Sequence, residues 1–101
     1  MEIVFDSNPI RRACLKATGK LKRRLDDIKA AETMADLENL PGHYHALKAD
    51  RSGLWACHLE EPKRLVFRPI PESGALSADG RLDTKRVRAV CIMEVVNYHE
   101  R

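Results

Sequence analysis

Several familiar signatures are missing from this chain of 101 residues. No apolar stretch approaches the roughly 18 residues that span a bilayer, so no membrane segment is expected. The opening, Met1-Glu2-Ile3-Val4-Phe5-Asp6, lacks the basic start and long apolar core of a secretion signal. The three cysteines, Cys14, Cys57 and Cys91, are odd in number, widely spaced and without a Cys-x-x-Cys pair. Neither a disulfide framework nor a zinc site is expected from them. Reduced thiols filling small core positions in a cytoplasmic protein are the better reading. The histidines show no ligand spacing either, so no metal or other cofactor is expected. Internal repeats, a glycine-rich phosphate loop and a Gly-x-Ser-x-Gly elbow are also absent.

What is present fits one small domain spanning residues 1–101. Hydrophobic residues make up 44% of the chain, enough for a globular core. The net charge of +3 is modest but unevenly spread. Residues 9–30 hold eight Lys and Arg against Asp26 and Asp27, and the rest of the chain is net acidic. Such clustering suits a nucleic acid or an acidic partner, and equally a solvated helix face.

Ile3-Val4-Phe5 reads as a first strand. Ser7-Asn8-Pro9 then offers a capping oxygen and a proline where no amide donor is needed, which starts a helix. Ile10, Cys14, Ala17, Leu21, Leu25 and Ile28 follow at helical spacing and define a core stripe. Arg12, Lys16, Lys20 and Arg23 fall largely on the other side. Gly19 marks a place where this helix can break in two. A further turn fits Thr33–Leu40, ended by Pro41-Gly42. Strand-like segments follow at Tyr44–Ala49, Leu54–Leu59 and Arg64–Arg68, joined by short turns as an antiparallel meander. Residues 69–84 contain two prolines and two glycines and no apolar period, and are expected to form a mobile loop. Val87–Val96 is the longest apolar run and belongs in the sheet centre. The order predicts an α+β domain, with the N-terminal strand and helices on one face of a twisted, mainly antiparallel sheet.

The last strand runs into Asn97-Tyr98-His99. A tyrosine and a histidine at a strand tip are not needed to fill a core, and both can exchange protons or stack on bases. Two other stretches bear on this ending: His45-Ala-Leu-Lys48-Ala-Asp50-Arg51 and Pro62-Lys63-Arg64-Leu-Val-Phe67. Together with Lys22-Arg23-Arg24-Leu25, Leu40-Pro41-Gly42 and Trp55, they resemble the HigB-like killer proteins of the RelE/ParE toxin superfamily. The likeness covers nearly the whole chain. It departs where the family commonly has Asp-Tyr-His and this chain has Asn97, an amide that hydrogen-bonds but exchanges no proton. The first helical region is also short for the family, and the 69–84 loop is long.

The resemblance implies a RelE-like fold and the toxin of a type II toxin–antitoxin pair. It further implies a metal-independent endoribonuclease that enters the ribosomal A site and cuts messenger RNA there. Its partners are then the small ribosomal subunit, messenger RNA and a HigA-like helix-turn-helix antitoxin, with DNA met only through that antitoxin. RNA cleavage without metal needs a base for the 2′-hydroxyl, cations for the phosphorane and an acid for the leaving oxygen. His99 and His45 are candidates for base or acid. Lys48 and Arg64 suit the scissile phosphate, Arg64 through two parallel hydrogen bonds. Tyr98 suits stacking or hydroxyl donation. His45 and Lys48 differ by an odd number, so they share a site only if the strand ends near Lys48. Arg64 is also placed to form an ion pair with Glu94. His58 reads as a structural or surface residue. Arg12, Lys16, Lys20 and Arg23 are the expected RNA-backbone contacts.

Two other functions fit the same residues. A gyrase-poisoning toxin of the ParE branch needs no catalytic histidine. A binding module that has lost catalysis through Asn97 keeps only its partner.

Overall fold

The computed structural model describes residues 1–97. It is an α+β domain. β1 (Glu2–Phe5) leads into α1 (Asn8–Leu15) and α2 (Gly19–Ala30), then a 3-10 segment at Met34–Asn39. β2 (His45–Ala46), a 3-10 turn at Ala49–Arg51, β3 (Trp55–His58) and β4 (Lys63–Pro71) follow. A turn at Thr84–Arg86 delivers the chain to β5 (Val87–Asn97). The sheet order is β1-β5-β4-β3-β2. β1 and β5 run parallel, and the other three pairings are antiparallel. β4 is the middle strand, and β5, expected at the sheet centre, lies one place out with a neighbour on each side.

The helical region is two helices, not one. Ser7 caps α1, its Oγ accepting from the Ile10 amide at 3.4 Å. The break falls just before Gly19, whose φ of +61° suits glycine. A Cβ on Gly19 would sit 2.7 Å from Glu60 Oε2. That carboxylate instead accepts from the Lys20 amide at 3.0 Å and satisfies an unpaired donor in the first turn of α2. The bond to the Lys20 amide is also the main reason the Glu60 carboxyl lies below its ordinary pKa.

The core lies between the helices and the sheet. Cys14, Ile28, Met34 and Leu37 from the helical segments meet Leu65, Phe67, Val90 and Ile92 from the strands, all buried. Leu65, Val66 and Phe67 are buried in succession along β4, with Leu65 and Phe67 in the core between helices and sheet. The strand itself is longer than expected and passes through Pro69 and Pro71. Two features make these prolines tolerable. β3 pairs with β4 only as far as Phe67, and the β4–β5 register shifts between Pro69 and Pro71. The following stretch, expected to be a mobile loop, has local order of its own. Leu76 and Leu82 form a β-bridge, and Ser77 accepts from the Arg81 amide at 3.0 Å. Among the described residues, no helix is long and apolar enough to cross a membrane.

Candidate functional site

The β2–β3 hairpin is much shorter than the sequence led us to expect. β2 stops after Ala46, and Lys48 precedes a 3-10 turn in which Ala49 has a φ of +59°. The strand therefore ends before Lys48, which removes the parity objection to its joining a site with His45. Lys48 is exposed.

Register then decides which residues meet. His45 pairs with Ala56, and His58 pairs with Arg64 on the next strand. Side chains two apart share a face, so His45, His58 and Arg64 lie on one side of the sheet. Arg64 is opposite Val96, which brings the end of β5 and Asn97 to the same corner. Asn97 pairs with Lys63 and is exposed. Tyr98 and His99 lie outside the described residues.

Arg64 is half-buried, its guanidinium donating to Glu61 at 3.2 Å and to the Lys63 carbonyl at 3.0 Å. Glu94, expected as an ion-pair partner of Arg64, is bound by Arg51 at 2.7 Å. Arg51 reaches it from the turn after β2, 43 residues away in sequence.

His58 is not the isolated surface residue the sequence pointed to. His43, His45 and His58 gather at the open end of the hairpin, with ring centroids 4.9 to 5.9 Å apart. Extending the β2–β3 register by two residues sets His43 opposite His58, and the His58 amide donates to the Gly42 carbonyl at 2.7 Å. His43 has a φ of +52°, a left-handed conformation uncommon outside glycine but one histidine adopts more readily than most. The pKa of His58 is lowered by partial burial first, then by the Arg64 charge and its histidine neighbours, against a rise from Glu61. These influences together favour the neutral form of the His58 imidazole. The three rings form a spatial group that sequence spacing did not suggest. Their sequence spacing carries no pattern, because the hairpin brings them together.

Arg24 is the other residue that sequence reading missed. It sits in the basic run of α2 yet is only 6% exposed, and its Nε donates to the His58 carbonyl at 2.8 Å. Gly42 makes room for it, since a Cβ there would come within 2.7 Å of that nitrogen. Beneath the histidines, burial raises the pKa of Tyr44 above that of an ordinary phenol and pushes the Cys57 thiol up to about 12. Among the described residues the Tyr44 hydroxyl has no conventional hydrogen-bond partner, and the adjacent thiol is a weak one.

The four expected RNA contacts are all exposed. Arg12 is on α1 and Lys16 terminates it, whereas Lys20 and Arg23 are on α2. They occupy two helices rather than one continuous face. Two concavities lie away from these four residues. One is between β1 and the helices, lined by Ile3, Phe5 and Leu25. Another is between the β2 hairpin and the 76–82 loop, lined by Leu47, Trp55 and Leu82. Neither contains His45, Lys48, Arg64 or Asn97. Neither a scan of protein-family models nor a search of curated proteins finds a match for this chain.

Proposed function

We propose that this chain is the toxin of a type II toxin–antitoxin pair, with a RelE-like fold, and that it cuts messenger RNA in the ribosomal A site. The observation that carries this reading is the common sheet face of His45 and Arg64, with Lys48 exposed where β2 ends and Asn97 where β5 ends. His45 and Arg64, from two of the motifs that carry the HigB-like resemblance, thus share one face of the sheet.

The chemistry is a transesterification. A histidine takes the 2′-hydroxyl proton, the 2′-oxygen attacks phosphorus, and an acid returns a proton to the departing 5′-oxygen. His45 and His99 are the candidates for these two proton transfers. Arg64 holds the phosphate and stabilises charge on the phosphorane, exchanging its present bond to Glu61 for one to a phosphate oxygen. Lys48 adds a second cation, Tyr98 stacks on a base, and Asn97 contributes a hydrogen bond. None of these roles calls for a metal. The exposed cations of α1 and α2 suit contacts to ribosomal RNA. A helix-turn-helix antitoxin is the partner that would hold such a toxin inactive.

The test is to add the purified protein to ribosomes stalled on a defined message and map the breaks. Cleavage within the A-site codon, with naked message left intact, is the expected result. Intact message beside inhibited DNA gyrase would replace this reading with that of a gyrase poison.

A further inference from the structure

We infer that His43, His45 and His58 form a binding site for a divalent transition-metal ion of the zinc class, with the fourth position open. The ligand-capable atoms of the three rings lie within 4.8 Å of one another. Tetrahedral zinc with bonds of about 2.0–2.1 Å to nitrogen holds its ligands about 3.3 Å apart. The rings therefore need to close by an ångström or so, which side-chain rotation at an exposed and two half-buried positions supplies.

Three features beyond proximity support a ligand set. First, the His45 Nδ1 lies 2.7 Å from the His43 carbonyl, which can only accept, so that nitrogen carries the proton. In that tautomer Nε2 is the nitrogen with the lone pair. A ring N–H donated to a backbone carbonyl is the usual outer support of a metal-binding histidine. Second, His58 Nδ1 lies 4.0 Å from the Glu61 carboxylate, an anion that can orient the ring or offset the charge of a bound dication. Third, the backbone under the rings is pinned. Arg24 holds the His58 carbonyl, the His58 amide holds the Gly42 carbonyl, and His43 is turned into the cluster by its left-handed backbone. A fixed scaffold reduces the ordering that a metal must impose.

The site takes imidazole-preferring ions such as zinc, nickel or copper rather than magnesium or calcium, whose ligands are oxygens. The site shares His45 with the proposed RNA chemistry, so a bound ion withdraws that ring from proton transfer.

The test is calorimetric titration of the full-length protein with zinc chloride, followed by cobalt(II) titration read in the visible spectrum. One ion per chain and a tetrahedral cobalt spectrum are expected. His43→Asn keeps a residue that tolerates the left-handed backbone, and His45→Ala removes a residue from a short edge strand, so both variants should fold. Each should weaken zinc binding by at least about tenfold, since losing even an outer partner of a ligating histidine costs roughly ten- to a hundredfold. No stoichiometric binding by the wild type would overturn the site. So would undiminished affinity in both variants, which would move the ligands elsewhere in the chain.

Discussion

Arg23 and Arg24 are neighbours in the sequence, yet they belong to different parts of the molecule. Arg23 is exposed on α2, among solvated cations that include Lys20 and the Lys22–Asp26 pair. Arg24 turns into the fold and binds the backbone beneath the histidine corner. The helical layer carries its charge on long stems in water, where contacts are cheap, adaptable and screened by salt. At the corner, charge is held by specific bonds: Arg24 to His58, Arg64 to Glu61 and Arg51 to Glu94. A basic run in the sequence is therefore not one functional unit. Part of it holds its charge in solvent, and part of it ties down the backbone beneath the histidines.

Under the proposed function the corner performs chemistry and the helices supply grip. Substitutions separate the two, and the largest effect is expected at Arg64. Arg64→Ala should slow A-site cleavage by about a hundredfold, the scale of removing one group that stabilises developing charge. Ribosome binding should stay near wild type. A matching loss of binding would place Arg64 among the gripping residues and break the distinction.

The next effect is on stability. Arg24→Met leaves the part-buried His58 carbonyl without this donor, which costs about 1–3 kcal/mol. Urea unfolding measures it, with Arg23→Met as the control that changes little. Equal effects of the two would contradict the different burial of these neighbours.

The smallest effect belongs to the helices. Reversing Arg12 and Lys16 to Glu should lower ribosome affinity about tenfold at low salt and reduce the salt slope by about one for each lost phosphate contact. Cleavage at saturating ribosome should be unchanged. A fall in that rate would mean that α1 also positions the message.

The ordered helix and strand elements were largely legible because their signals are local. The Ser7-Asn8-Pro9 start, the apolar spacing from Ile10 to Ile28, and the long run into β5 each depend on near neighbours. Gly19 flagged the helix break, but Glu60, which accepts from the Lys20 amide, comes from the distant β3–β4 turn. Pro69 and Pro71 hid the last part of β4, because sequence alone does not reveal where its β3 neighbour stops. The candidate site divided in the same way. His45, Lys48 and Arg64 stood out in short motifs. The association of His43 with His58 depends on hairpin register and on two left-handed residues in succession, Gly42 and His43. The burial of Arg24 depends on the same glycine. No local period encodes either.

Under the proposed function, side chains of this corner drive attack by the 2′-hydroxyl of ribosome-bound message. The most direct measurement is the chemical identity of the new 3′ end on the upstream fragment, isolated from programmed ribosomes and resolved by phosphatase treatment and mass spectrometry. A 2′,3′-cyclic phosphate, or the 3′-phosphate from its opening, is the expected result. A free 3′-hydroxyl would contradict the account, because it requires a water nucleophile and a different bond broken at phosphorus.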